Sequence, residues 1–397
     1  MSALERATQI SREEVMSKIV ASGLREYGIY DGLLSERLAA AVTESKEEEK
    51  ELGVVCALNN ADTDGVLLEV LKEDPQKVLE GISIAAYALG CEKKILQIPE
   101  YAADMAEALE EKAEQSEVTI VVGLVNVREQ KGCALIHIVT ARELADYFAE
   151  EAVEGIYVSI NDEPVKKVSA DSKLSELTDC SGAKAIRIGY RYYLPEMAEL
   201  PLKEVAVTNG LVRILTAKDC IVSETEKKLT AYRKQSCGKC VFCREGLIQL
   251  QYIQKEITEG KGKYLELTKE IGEAMTYSTP CSMGQTSALI ALSAVENFVS
   301  EYTAHIKKKE CPAGVCFSTE TVYIDPKLCT GCGECMDVCP ADCIEGKPKY
   351  IHMIDELDCI RCGKCMEVCD VEAIIKTSEK VPKLPNRLTK VGKFKKR

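Results

Sequence analysis

The chain has 397 residues, a formal charge of −13 and 20 cysteines. That length exceeds a single core and predicts two to four domains, while the acidic balance argues against nucleic acid as the main partner, because phosphate binding needs a basic field. No apolar run approaches membrane-spanning length and Met1 to Val20 holds no apolar signal region, so a cytoplasmic protein without a membrane span is expected, its cysteines serving metal rather than disulfides.

Residues 1–153 alternate helix and strand. Glu13 to Leu24 has amphipathic spacing, Val54 to Leu58 is a short apolar strand, and Val78 to Leu89 is again helical. Lys94 to Ile98, Ala102 to Gln115 and Val118 to Val127 continue as strand, helix and strand, which predicts an α/β, Rossmann-like domain on a parallel sheet. Residues 154–216 differ. Ile156 to Ile160, a turn at Asn161 to Pro164 and Val165 to Val168 read as a hairpin, Leu174 to Leu177 as a short helix and Ala185 to Tyr190 as a strand, together a β-grasp module.

Residues 217–310 are helical. Leu247, Leu250, Ile253 and Ile257 form one stripe, Leu267, Ile271 and Met275 a second, and Leu289, Leu292, Val295, Val299, Tyr302 and Ile306 a third. With Glu224 to Lys234 as the first member they predict a four-helix bundle. Cys237, Cys240 and Cys243 lie on the loop that opens the second helix, and Cys281 lies at a later helix start. Four thiolates at one end of the bundle suit a [4Fe-4S] cluster; a structural zinc could use the same four.

Residues 311–380 carry the most specific pattern. Cys329, Cys332, Cys335 and Cys339 recur thirty positions on as Cys359, Cys362, Cys365 and Cys369. In the bacterial two-cluster spacing the fourth cysteine of each run ligates the other cluster. The sets are therefore Cys329, Cys332, Cys335, Cys369 and Cys359, Cys362, Cys365, Cys339, giving a 2[4Fe-4S] ferredoxin domain. A zinc ribbon needs only four thiolates and a disulfide knot a secreted chain, and neither explains a repeat that also aligns Tyr323-Ile324-Asp325 with Met353-Ile354-Asp355. Such clusters suggest an anaerobic cell. Residues 381–397 form a basic tail, read as solvated or as a docking arm for an acidic partner.

Taken together, Ser236-Cys237-Gly238-Lys239-Cys240-Val241-Phe242-Cys243-Arg244-Glu245-Gly246, then Cys281-Ser282-Met283-Gly284-Gln285-Thr286, Cys311-Pro312-Ala313-Gly314-Val315-Cys316 and the tandem runs resemble the NADH-binding flavoprotein subunit of respiratory complex I, as extended in the β-subunit of electron-bifurcating [FeFe] hydrogenases. Glu73 to Gly81 resembles the helix after that family's flavin loop. The resemblance implies a Cys3His zinc site from Cys220, His305, Cys311 and Cys316. It also implies an FMN and NADH site, but the glycine-rich loop of the family is replaced here by Glu26-Tyr27-Gly28-Ile29-Tyr30-Asp31-Gly32, and the chain is shortened around Gly123 to Lys131. Asn60 and Asp62 keep a remnant of the flavin-binding segment. The first domain therefore reads as a degenerate flavin/NADH-binding fold.

These readings predict an iron-sulfur electron-transfer subunit of a multisubunit oxidoreductase, relaying electrons through three [4Fe-4S] clusters, with a flavoprotein or substrate-reducing subunit and soluble ferredoxin as partners. The alternative is an NADH-oxidising, FMN-containing dehydrogenase subunit, electron-bifurcating or not. No catalytic residue is assigned: the chain offers no P-loop and no Ser-His-Asp arrangement. Cys56, Cys91, Cys133, Cys180 and Cys343 read as packing or loop residues, and His137 and His352 have no partner at ligand spacing.

Overall fold

Apolar runs too short for helices become strands, and their order is set by the helices that cross between them. The computed structural model describes residues 1–27, 32–205, 207–262, 264–316, 321–355, 359, 362–377 and 381–394. Two units are separable, Met1–Lys308 and Lys309–Arg397.

The first unit begins with helices α1 (Ala3–Thr8), α2 (Arg12–Ser22) and α3 (Leu34–Glu47), then β1 (Gly53–Ala57), α4 (Leu68–Glu73) and α5 (Pro75–Leu89). Next come β2 (Lys93–Ile98), α6 (Ala103–Gln115), β3 (Thr119–Val122), β4 (Cys133–His137) and α7 (Ile138–Ala149). The strands form one parallel sheet in the order β3-β2-β1-β4. Every residue of β1 and β4 is buried, as parallel strands covered on both faces require. Helices α5 and α7 pack on β1 and on each other, with α1 across both. Their approach depends on Gly81, where an added Cβ would sit 1.8 Å from the Ala141 carbonyl oxygen. Helix α5 starts where local chemistry says it should: Asp74 caps it by accepting from Lys77 N at 3.2 Å, and Pro75 holds the first position, where its missing N–H costs nothing. The expected strand Val118 to Val127 ends at Val122, and β4 and α7 are additions that the sequence pattern does not announce.

A second, five-stranded sheet follows, built from β5 (Ile156–Ile160), β6 (Lys166–Val168), β7 (Ala185–Ile188), β8 (Arg191–Tyr193) and β9 (Leu211–Leu215), with α8 (Leu174–Leu177) in the connection. Its order is β6-β5-β9-β7-β8, and only β5 and β9 run parallel. Asn161 and Asp162 turn the first hairpin with φ of 51° and 65°, a region these two residue types tolerate best after glycine.

Helices α9 (Ile221–Lys234), α10 (Val241–Thr258) and α11 (Leu265–Ser278) pack in sequence, and the next helical stretch closes back on α9. Its apolar stripe predicts a single helix. The stretch is instead broken into α12 (Ser282–Ser287), α13 (Leu289–Asn297) and α14 (Val299–Thr303), followed by a π turn over Ala304–Lys308. Tyr192 ties the second sheet to it: its N–H donates to Ser293 Oγ at 2.9 Å and its carbonyl accepts from Asn297 Nδ2 at 2.9 Å.

The second unit is a small repeat. Strand β10 (Thr321–Ile324), α15 (Glu334–Asp337) and β11 (Ile344–Glu345) are matched by β12 (Met353–Ile354), α16 (Lys364–Glu367) and β13 (Ile374–Thr377). Strand β10 pairs antiparallel with β13, and β11 with β12. Asp325 N donates to the Ala373 carbonyl at 2.7 Å and Asp355 N to the Cys343 carbonyl at 2.8 Å, so each half closes the other in the same way. Gly333 and Gly363 precede the two helices with φ of 102° and 83°, a backbone that a side chain would strain. The basic tail is not wholly free. Ile351 N donates to the Thr389 carbonyl and Val391 N to the Lys349 carbonyl, which anchors residues 389–391; Lys380 and residues 395–397 lie outside the described residues.

Candidate iron-sulfur and metal centres

In the first unit, Cys237, Cys240, Cys243 and Cys281 line one cavity of about 400 Å³ together with Asn60 and Val125. Cys240 is the N-cap of α10 and Cys281 that of α12, so the turn between α11 and α12 brings Cys281 to the loop that opens α10. Gly238, at φ 71°, turns that loop, and Arg244 Nη1 holds it by donating to the Gly238 carbonyl at 3.2 Å. Ser236 Oγ lies 3.4 Å from Cys243 Sγ. Burial raises the pKa of Cys243 and Cys281, so a cation is what would make them thiolates.

The second unit has two such cavities. One, of about 310 Å³, is lined by Cys329, Cys332, Cys335 and Cys369; the other, of about 330 Å³, by Cys359, Cys362, Cys365 and Cys339. The exchange of the fourth cysteine between the two runs is thus a feature of the folded chain, produced by the paired strands that bring each run's end against the other's beginning. Ala373 N points at Cys369 Sγ from 3.3 Å. Burial, reinforced by the charges of Cys329 and Cys332, pushes the Cys335 thiol up to about 12. No cysteine of the chain is in a disulfide. Four convergent thiols fit an iron-sulfur cluster at each of the three cavities.

Of the residues assigned to zinc, Cys220 and His305 meet in the first unit. Cys220 caps α9, and its Sγ is 3.4 Å from His305 Nε2, both residues being buried. His305 sits in the π turn, and its Nδ1 lies 2.8 Å from the Glu301 carbonyl. That carbonyl can only accept, so Nδ1 carries the proton and Nε2 keeps its lone pair, the arrangement of a metal-binding histidine. In the second unit Cys311 and Cys316 flank a turn closed by Gly314 N donating to the Cys311 carbonyl at 2.9 Å.

The remnant flavin residues follow β1, at the carboxyl end of the parallel sheet where ligands of such folds gather. Asn60 is committed elsewhere: its Nδ2 donates to the Val125 carbonyl at 2.8 Å and its Oδ1 accepts from Val125 N at 3.1 Å. Asp62 Oδ1 accepts from Gly65 N at 3.1 Å, while Oδ2 is buried without a partner among the described residues. Burial, with Asp64 nearby, raises the Asp62 carboxyl to about 7. Gln97 and Tyr101 line the same cavity as these residues. Glu26, in place of a loop glycine, is buried and accepts from His137 N at the end of β4. Gly28 to Asp31 lie outside the described residues. Among the described residues, then, Asn60 is held by Val125 and Asp62 by Gly65.

Two residues read as packing or unpartnered lie against the thiol sets. Cys343 lines the cavity of Cys359, Cys362, Cys365 and Cys339, its Sγ 3.5 Å from that of Cys339. His352 lines the cavity of Cys329, Cys332, Cys335 and Cys369. Neither stands at ligand spacing; the thirty-residue repeat is the signal that could have found them, since Cys343 replaces Ala373 and His352 replaces Val322.

The three thiol-walled cavities define an iron-sulfur protein. Residues 224–305 match the NADH-ubiquinone oxidoreductase-F iron-sulfur binding region, and residues 321–370 the 4Fe-4S dicluster domain. The chain is homologous, over part of its length, to NADP-reducing hydrogenase subunit HndC of Solidesulfovibrio fructosivorans, at 40% identity over 152 residues, 38% of this chain and 31% of that protein. It is likewise homologous to an NADH-quinone oxidoreductase subunit of Mycobacterium tuberculosis, at 29% identity over 160 residues, 35% of this chain and 36% of that one. These regions match the family that the motifs suggested, and the chain spans only about a third of the length of these relatives. The fold resembles that of an NAD+-reducing [NiFe]-hydrogenase chain, with a TM-score of 0.60 and 15% identity over 77% of this chain and 64% of that one. Among the described residues no helix is long and apolar enough to cross a membrane.

Proposed function

We propose that the chain is an electron-relay subunit of a multisubunit cytoplasmic oxidoreductase, holding three [4Fe-4S] clusters and one structural zinc. The observation that carries this reading is that three separate cavities are each walled by four of the cysteines that sequence spacing groups together. When bound, such clusters take up and release single electrons. The chain supplies four thiolates at each and limits solvent access. We read residues 1–153 as a degenerate flavin/NADH-binding-like domain, 154–216 as a β-grasp module, 217–310 as a four-helix bundle, 311–380 as a two-cluster ferredoxin domain and 381–397 as a basic tail. Cys220, His305, Cys311 and Cys316 are assigned to zinc, supported by the His305 tautomer. With no substrate site assigned, the chain depends on a flavoprotein or substrate-reducing subunit, and on ferredoxin or another acceptor.

Iron and zinc analysis after anaerobic reconstitution tests the cofactor set: about twelve irons and one zinc per chain are expected, and eight irons or fewer would remove the bundle cluster. Affinity purification from the native cell under anaerobic conditions tests the relay. A monomer that turns over a small organic substrate unaided would sink it.

The second reading, an NADH-oxidising FMN subunit, is favoured by the family matched by residues 224–305. Flavin absorbance in the anaerobically purified chain, with cluster bleaching by NADH, would establish it; the commitment of Asn60 to Val125 predicts neither.

A further inference from the structure

The two halves of the second unit are near copies, yet the residues facing the two thiol sets differ at two repeat positions, Val322 against His352 and Cys343 against Ala373. Val322 lines the cavity of Cys359, Cys362, Cys365 and Cys339. Its counterpart thirty residues on, His352, lines the cavity of Cys329, Cys332, Cys335 and Cys369. His352 is 2% exposed, and its Nδ1 lies 3.9 Å from Cys329 Sγ. Its Nε2 is buried without a hydrogen-bond partner among the described residues. Room for the ring is made by Gly346, where a Cβ would meet His352 Cδ2 at 2.1 Å. A sulfur that ligates iron carries no proton and can only accept. The contact therefore has one polarity, with the imidazole presenting N–H from Nδ1.

We propose that His352 donates toward Cys329 Sγ and so raises the reduction potential at the Cys329 set; at the Cys359 set Val322 offers no donor in that place, and the polar hydrogen at hand is the weaker S–H of Cys343, 3.5 Å from Cys339 Sγ. The proposal rests on the cluster assignment given above. Reduction adds negative charge that is shared with the ligand sulfurs, and a buried N–H dipole aimed at one of them stabilises the reduced form more than the oxidised one. At 3.9 Å the interaction is chiefly electrostatic, and burial keeps solvent from screening it. His352 thus favours reduction at the Cys329 set over what the same chain without it would show, which biases where an electron rests within this unit. His352 acts through Cys329 and is a positioning residue; Gly346 positions His352 in turn.

The test uses the full chain, reconstituted anaerobically, with iron and sulfide quantified and potentials read by EPR-monitored redox titration. His352→Phe should lower one of the two potentials of the second unit by at least about 59 mV, a tenfold change in that site's electron occupancy, and leave the other and the bundle signal in place. His352→Asn, which returns a donor near the Nδ1 position, should restore most of the loss. Gly346→Ala, which displaces the ring without removing it, should move the same signal in the same direction. Should the phenylalanine variant fail to load iron, Val322→His in the wild-type background asks the question from the other half, and one of the two potentials of the second unit should rise while the other stays in place. Full iron content with unmoved potentials, or with both displaced equally, overturns the proposal. A wild-type chain that takes up only about four irons and gives no signal from the second unit overturns the cluster assignment itself.

Discussion

Cys281 stands alone in sequence, 38 residues beyond its nearest partner Cys243, yet it completes the thiol set of the first unit. Cys281→Ser should cost about four irons per chain and abolish one EPR signal while leaving the others, since the second unit draws its ligands entirely from Cys329 to Cys369. Unchanged iron content would assign that cavity to another metal. Glu26 makes a different residue-scale prediction. Burial raises its carboxyl from the usual 4.5 to about 7, against the lowering effect of the His137 N–H. The folded chain therefore keeps a proton that the unfolded chain releases above pH 4.5. This contribution to stability is complete below that pH and is lost as pH rises through 7. Between pH 5 and pH 8 the wild type should lose on the order of 2 to 3 kcal/mol more stability than Glu26→Gln, measured by urea denaturation. Parallel pH profiles would show that Glu26 titrates normally.

Among elements, the contact between α5 and α7 is the most exacting. Gly81 faces backbone rather than a movable side chain, so Gly81→Ala must separate the two helices that cover β1. A loss of about 3 kcal/mol or more is expected, read as a lower urea midpoint, with the iron content of the second unit unchanged. A neutral substitution would mean that the helices pack less closely. An ion triad in which Arg187 is buried also joins elements: Asp64, after β1, pairs with Arg187 of β7 at 2.5 Å and with Lys228 of α9 at 2.5 Å. Burial alone would raise the Asp64 pKa, but the two cations outweigh it and hold the carboxyl below its ordinary value. The triad fixes α9, which Cys220 caps, against the carboxyl end of the parallel sheet.

The whole chain divides after Lys308. A protein ended there should keep the parallel sheet, the mixed sheet and the helices, together with about four irons. It should lose its zinc, because Cys311 and Cys316 would be missing from the ligand set assigned to that metal. Metal analysis and EPR of the truncated chain check both statements. Retained zinc would show that Cys220 and His305 bind it with other ligands.

Spacing alone grouped Cys237, Cys240 and Cys243 and the eight cysteines from Cys329 to Cys369, and with them the expectation of a ferredoxin-like repeat, because a cluster demands several thiolates within one short loop and the chain must supply them at fixed intervals. Periodicity likewise located β1, β2, α5, α6 and the first hairpin, since each buries one face or one full strand whatever its neighbours are. Tertiary structure decided what depends on contacts between distant segments. The break of the last helical stretch at Ala288 and Phe298, and the π turn that presents His305, could not be read from an uninterrupted apolar stripe. The engagement of Asn60 by Val125 turned a remnant motif into a structural pair. His352 and Cys343 acquired their places only when β10 paired with β13 and β11 with β12, because strand pairing brings each half of the repeat against the other's sulfurs.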